Sequence, residues 1–125
     1  MVSKKPKGFN ENDRLLIVDD VMKALVKMAK FSRNQSEAIF IGITGTSGKT
    51  STKDMGSLVF KCFGKTHFSV KSYNNTLGCS LTLATIPKET KYVLVEIGTN
   101  CLGEIAELSQ LVKPDHIIIT DVSIG

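Results

Sequence analysis

The 125-residue sequence has no tryptophan, only two histidines and only three cysteines. The cysteines (Cys62, Cys79 and Cys101) are widely spaced and form no Cys-x-x-Cys pair, so neither a zinc site nor a disulfide framework is expected. We expect buried free thiols and a cytoplasmic location, where the environment is reducing. No apolar run approaches the length of a membrane span, and no apolar signal core follows the basic residues 1–7.

Positive charge is in slight excess, but it is not spread over the chain. The formal net charge is +4. Residues 1–36 contain eight Lys and Arg against four Asp and Glu, whereas residues 37–125 contain eight of each kind. A nucleic-acid-binding domain usually carries its positive charge on the folded body, together with aromatic residues that stack on bases. The charge distribution therefore argues against nucleic acid as a partner.

Strand-like and helix-like segments alternate along the sequence. Strands are predicted at 38–44, 66–70, 91–98 and 116–120, and helices at about 21–30, 50–62, 77–86 and 103–112. The first strand is apolar on both faces, which is typical of a strand buried in a parallel sheet. The alternation predicts an α/β fold, with a parallel sheet flanked by helices and a phosphate-binding loop after its first strand.

A glycine-rich turn joins the first predicted strand to the helix that follows it. Glycines let the backbone curl so that successive N–H groups point inward, and the helix N-terminus adds partial positive charge to this anion nest. The ammonium of Lys49 can reach β- and γ-phosphates, and the hydroxyl of Thr50 can bind Mg²⁺. Ile43 stands where the common Gly-x-x-x-x-Gly-Lys-[Ser/Thr] pattern requires glycine, so the loop is a variant. The residues expected to bind a nucleotide are Gly45, Thr46, Ser47, Gly48, Lys49, Thr50 and Ser51.

A phosphate-binding loop needs an acidic side chain to balance the charge of its metal ion. In an α/β sheet, that side chain lies at the carboxyl end of a neighbouring strand. Glu96 ends an otherwise apolar strand, where a carboxylate is costly to bury unless a cation or donor lies nearby. Asp121 follows the last strand and ranks below Glu96, because polar residues are common at strand ends. We therefore expect Glu96 to lie close to the loop.

Four segments together resemble the Mur ligases, which build the peptide stem of peptidoglycan. Residues 44–50 are similar to the ATP loop of that family. Residues 73–78, with an Asn-Asn pair, and residues 96–105, with a Gly-Glu-Ile turn, resemble the family member that adds D-alanyl-D-alanine. Residues 113–120 resemble the next family strand. The resemblance covers about residues 15–125.

The resemblance implies an ATP-dependent amide ligase whose cofactors are ATP and Mg²⁺. The carboxylate of a UDP-MurNAc-tripeptide would attack the γ-phosphate of ATP, and the amine of D-alanyl-D-alanine would then displace phosphate from the acyl phosphate. By the same resemblance, Lys49 and Glu96 are expected to be catalytic, Thr50 is expected to hold one Mg²⁺, and Glu96 is expected to hold the other. Asn74 and Asn75 are expected near the phosphates or a second metal, although an Asn-Asn pair also suits a plain turn.

The resemblance also predicts how the chain is organised. Residues 1–20 would be the end of a substrate-binding domain with its linker, and residues 21–125 the first part of the central ATP-binding domain. The sequence departs from the family pattern at Ser72, Thr76 and Asp121. It stops before the Ala-His pair whose histidine binds a second Mg²⁺ in the family. We therefore expect a fragment that makes no amide bond alone and that exposes surfaces able to self-associate.

Other functions remain compatible with the same motifs. A non-catalytic nucleotide-binding or assembly module would use the loop to hold ATP as a structural ligand. Another Mur-type amide ligase, such as a folylpolyglutamate synthase, would share the loop but not the Asn-Asn segment. A P-loop kinase or GTPase is disfavoured because Ile43 breaks the usual pattern and no Asn-Lys-x-Asp segment occurs.

Overall fold

The computed structural model describes residues 1–10 and 14–123, in which four helices alternate with four strands. The helices are α1 Val21–Gln35, α2 Lys49–Lys61, α3 Thr76–Ala84 and α4 Glu104–Val112; the strands are β1 Ile39–Thr44, β2 Thr66–Phe68, β3 Tyr92–Glu96 and β4 His116–Ile119. Every predicted element is present, which confirms the α/β prediction. The predicted domain segments also include residues 11–13 and 124–125, which lie outside the described residues.

The four strands form one parallel sheet in the order β2-β3-β1-β4. In its register Ile43 pairs with Glu96, and Thr44 pairs with Ile119. The carboxyl end of β1 therefore lies between the carboxyl ends of β3 and β4. This order brings the turn after β1, the end of β3 and the residues after β4 to the same edge of the sheet.

Helices cover both faces of the central strands, which explains why β1 and β3 are apolar on both sides. On one face α1, α3 and α4 pack over Phe40, Val93 and Val95, all fully buried. On the other face α2 packs over a smaller cluster formed by Ile41, Ile43 and Leu94. The two strands that carry the site are thus held rigidly between two helical layers.

The outer strand β4 and two of the cysteines lie closer to solvent than their sequence suggests. All four residues of β4 are exposed: β4 lies at the edge of the sheet, and in the described part of the chain the helices pack mainly over β1, β2 and β3. The prediction of buried thiols holds for Cys79 but is wrong for Cys62 and Cys101. Cys62 follows the last turn of α2 and Cys101 lies in the turn before α4, where no helix covers them.

Among the described helices, none is long and apolar enough to cross a membrane.

Candidate nucleotide site at the carboxyl edge of the sheet

The turn between β1 and α2 curls because two of its glycines have positive φ. Gly45 has φ 136° and Gly48 has φ 80°, values that side-chain-bearing residues rarely adopt. Gly48 is the N-cap of α2, and Lys49 is the first helical residue. The first N–H groups of a helix have no partner within it. The curl therefore presents the positive end of α2 to the edge of the sheet, an arrangement suited to an anion.

The side chain of Lys49 folds back over the turn that precedes it. Its Nζ donates a hydrogen bond to the carbonyl oxygen of Gly45 at 2.8 Å. The hydroxyl of Thr99 donates to the same oxygen at 3.4 Å. The ammonium group thus lies at the mouth of the curled loop, where it would meet an incoming phosphate.

The carboxylate of Glu96 lies directly behind the loop and is fully buried. Its Oε1 accepts a hydrogen bond from the hydroxyl of Thr50 at 2.9 Å. Its Oε2 lies 3.1 Å from the Nζ of Lys53, and its backbone N–H donates to the Oγ of Ser69 at 3.2 Å. Both carboxylate oxygens therefore have partners, as a buried charge requires. Glu96 lies next to the loop, where the sequence analysis expected it.

The hydrogen bond to Glu96 determines what Thr50 can do chemically. The hydroxyl proton points to the carboxylate, which leaves the oxygen lone pairs available to a cation. Hydroxyl and carboxylate oxygens are hard donors that suit Mg²⁺, and Mg²⁺ usually takes its other ligands from water and phosphate. Within residues 1–10 and 14–123, no three His, Cys, Asp or Glu side chains gather into a metal cage. The donors present thus fit a Mg²⁺ that is shared with a bound phosphate.

A second carboxylate, that of Asp121, also touches the loop. Its Oδ1 accepts a hydrogen bond from the backbone N–H of Ser47 at 2.8 Å and lies 3.3 Å from the Ser47 hydroxyl. Its backbone oxygen accepts from the N–H of Thr46 at 3.0 Å. The sequence favours Asp121 less than Glu96 as the acidic partner of the loop and does not predict this contact. The contact follows from the pairing of β4 with β1, which places the residue after β4 against the turn.

The Asn-Asn pair has a structural role that the sequence analysis left open. The side-chain oxygen of Asn75 accepts from the N–H of Gly78 at 2.8 Å, so Asn75 is the N-cap of α3. The backbone oxygen of Asn74 accepts from the N–H of Gly98 at 2.7 Å, just beyond Glu96. These bonds fix the turn beside the end of β3. A role in binding phosphate or metal stays a prediction.

Two buried residues near Glu96 have no predicted part in the site. Lys53 is 1% exposed, although its place on an amphipathic helix predicts a solvent-facing side chain. Cys79 lies against the backbone of Glu96, and its thiol donates to the Glu96 backbone oxygen at 3.3 Å. Burial, and then the negative charges of Glu104 and Glu96, raise the pKa of Cys79 to about 12. The thiol therefore stays protonated at neutral pH and is not a nucleophile.

Gly45→Ala is expected to lower the free energy of unfolding by about 1–3 kcal/mol, because it combines a positive φ with a steric clash. A Cβ at Gly45 would overlap the hydroxyl of Thr120 and approach the backbone of Asp121 at 2.9 Å. Denaturant unfolding followed by circular dichroism measures the loss. Gly103→Ala is the matched control, since Gly103 has φ 81° with nothing within 4 Å of its Cβ. Equal losses at both positions would show that the loop is not tightly packed.

Comparison with known proteins places this site in a family. The family described as Mur ligase middle domain matches residues 43–124, more than half of the chain. The chain belongs to this family. The match begins near the end of β1 and includes the loop, the Asn-Asn segment and the end of β3. The site described above therefore lies within the Mur ligase match.

Relatives of the chain carry the name UDP-N-acetylmuramoyl-tripeptide–D-alanyl-D-alanine ligase. The Rickettsia prowazekii protein is 38% identical over 123 residues, which are 98% of this chain and 27% of the relative. The Bacillus subtilis protein is 37% identical over 112 residues, which are 90% of this chain and 24% of the relative. This Mur ligase chain thus spans about a quarter of the length of the relatives that it matches.

Solved Mur ligase structures share the fold. MurF from Acinetobacter baumannii superposes with a TM-score of 0.82 at 30% identity, covering 99% of this chain and 27% of that one. MurF from Thermotoga maritima, solved in complex with ADP, superposes with a TM-score of 0.74 over 92% of this chain. Its identity is 23%, so this second likeness bears on the fold alone.

Proposed function

We propose that this chain is the nucleotide-binding part of a Mur ligase that joins D-alanyl-D-alanine to a UDP-MurNAc-tripeptide. The names of the relatives support the substrates. One observation carries the nucleotide role: the buried carboxylate of Glu96, directly behind a curled glycine loop, is hydrogen-bonded to Thr50. Residues 1–20 are then the end of a substrate domain with its linker. Residues 21–125 are the first part of the ATP-binding domain.

The chemistry proposed for the whole ligase takes two steps. A carboxylate oxygen of the tripeptide attacks the γ-phosphorus of ATP, and ADP leaves as an acyl phosphate forms. The amine of D-alanyl-D-alanine then attacks the acyl carbon, phosphate leaves, and the amine loses a proton as the amide forms. A loose phosphoryl transition state mainly requires positioning and neutralisation of charge. This chain positions the triphosphate and neutralises part of its charge.

Each residue of the loop has a role in that proposal. The N–H groups of Thr46 and Ser47 are bonded to Asp121, so the phosphate oxygens accept from the N–H groups of residues 48–51 at the start of α2. Lys49 turns its ammonium from the Gly45 carbonyl to the β- and γ-phosphates. Thr50, through its hydroxyl oxygen, and Glu96 would together hold Mg²⁺. Held there, Mg²⁺ would neutralise part of the charge that develops on the phosphates. Asn74 and Asn75 keep the neighbouring turn beside the phosphates.

Isothermal calorimetry on the full chain tests the nucleotide role. We expect ATP with Mg²⁺ to bind at one site, and AMP, which lacks the β- and γ-phosphates, to bind at least tenfold more weakly. This difference arises because the loop contacts phosphates rather than the base. Absence of heat with ATP, or equal affinity for AMP, would contradict the proposal.

Asp121→Asn is expected to raise the affinity for ATP about three- to tenfold, with a smaller gain at high salt. Asparagine keeps the oxygen that accepts from Ser47 but removes a negative charge from the phosphate site. Asp115→Asn is the matched control, because Asp115 accepts from the N–H of Phe40 at the opposite end of β1. Calorimetry measures both variants. Weaker binding by Asp121→Asn would mean that the carboxylate helps to hold the nucleotide.

Cellular context and assembly follow as further proposals. Free thiols and peptidoglycan-precursor chemistry fit a cytoplasmic protein of cell-wall biogenesis, which bears on cell shape and division. The exposed apolar side chains of β4 fit self-association of this chain along its sheet edge. Light scattering at increasing concentration tests this: growth in mass supports self-association, and a constant monomer mass contradicts it.

A further inference from the structure

Lys53 is a buried cation in contact with three parts of the site. It lies on α2, one turn after Thr50, and its side chain is 1% exposed. Its Nζ lies 3.1 Å from the Oε2 of Glu96 and donates to the backbone oxygen of Lys71. The exposed carboxylate of Asp54 lies 3.6 Å away. The ammonium thus joins α2, the end of β3 and the segment between β2 and α3.

Stability alone does not account for a lysine at this position. Taking an ammonium and a carboxylate out of water costs about as much as their attraction returns, and apolar residues of similar size often fill such a place at least as well. The pair does, however, fix the orientation of the Glu96 carboxylate. Glu96 has one oxygen on Lys53 and the other on Thr50, so the lysine determines how the carboxylate is turned.

The contact with Lys71 extends this control to the Asn-Asn turn. Lys71 has φ 53°, an uncommon backbone conformation for a residue with a side chain. Its carbonyl is held by Lys53, three residues before Asn74, whose own carbonyl accepts from Gly98. One ammonium therefore holds both the carboxylate behind the loop and the segment that leads to the asparagines.

We propose that Lys53 is a positioning residue: it orients Glu96 so that Mg²⁺ can strengthen nucleotide binding. It keeps Oε1 of Glu96 on the hydroxyl of Thr50, so that the Thr50 oxygen lone pairs face the metal. Without the ammonium, Oε2 has no charged partner, and the carboxylate turns away from Thr50. Binding of ATP without metal depends on the loop and Lys49 instead, and does not pass through Lys53. The inference rests on the nucleotide function proposed above.

The test is the ratio of the ATP dissociation constant in EDTA to that in Mg²⁺, measured by calorimetry on the full chain. We expect a ratio of at least ten for the wild type. In Lys53→Met the ratio falls at least fivefold, while the dissociation constant in EDTA changes less than threefold. Lys61→Met is the matched control, because it removes an exposed lysine from the end of the same helix and keeps the ratio.

The outcomes separate a positioning role from a structural one. A purely structural lysine would lower the melting temperature of the variant and leave the ratio unchanged, which would overturn the proposal. If Lys53→Met does not fold, Lys53→Gln decides, since glutamine keeps a donor for Glu96 but not the charge. Failure of both variants to fold also overturns the proposal. A wild type without magnesium-dependent binding would instead refute the nucleotide function itself.

Discussion

Glu96→Leu is expected to lower the free energy of unfolding by about 3–5 kcal/mol, because it leaves a buried ammonium without its partner. Lys53 lies 3.1 Å from the carboxylate, and the side chains are 1% and 0% exposed. Solvent therefore cannot replace the lost partner without opening the packing of α2 on β3. Denaturant unfolding followed by circular dichroism measures the loss.

The double variant Glu96→Leu/Lys53→Met provides the control for this prediction. Each single change removes one member of the buried pair: after Glu96→Leu the ammonium keeps only the Lys71 carbonyl and the exposed Asp54. The double change removes both charges and fills the space with apolar atoms. We expect the double variant to be more stable than either single variant, with a coupling of at least about 1 kcal/mol. If the losses simply add, the two groups do not form the buried pair that the structure shows.

Lys49→Ala is expected to weaken ATP binding at least tenfold, which corresponds to about 1.4 kcal/mol. Its ammonium lies on the carbonyl of Gly45 at the mouth of the loop, so its loss removes a phosphate contact and leaves the core unchanged. Calorimetry with Mg²⁺ and ATP measures the change, and the melting temperature checks that the fold is intact. Lys61→Ala, on the same helix but exposed, is the control. An affinity within twofold of the wild type would exclude a phosphate role for Lys49.

The sequence predicts the architecture well because the relevant signals are local. The run 38–44 is apolar on both faces, and the structure places β1 between two strands and beneath two layers of helices. The exposure of β4 could not be predicted in the same way. Its four residues are as apolar as those of a central strand, but their burial depends on which strand pairs with which. The order of strands in the sheet is set by contacts between residues far apart in the sequence.

The same difference between local signals and long-range contacts explains which site residues the sequence reveals. The loop is a contiguous motif, and Glu96 is conspicuous as a carboxylate in an apolar strand. Lys53 is not conspicuous, because a lysine on an amphipathic helix usually faces solvent. Only the packing of α2 on β3 brings it to Glu96. Asp121 is likewise joined to Ser47 by strand pairing, across 74 positions of sequence.

The most direct test is a crystal structure of the chain with Mg²⁺ and a non-hydrolysable ATP analogue. We predict that the β- and γ-phosphates accept hydrogen bonds from N–H groups of residues 48–51 and from the Nζ of Lys49. Mg²⁺ should lie about 2.1 Å from the hydroxyl oxygen of Thr50, with Glu96 still beside it. Phosphates bound away from the loop, or a metal distant from Thr50 and Glu96, would contradict the proposed nucleotide site.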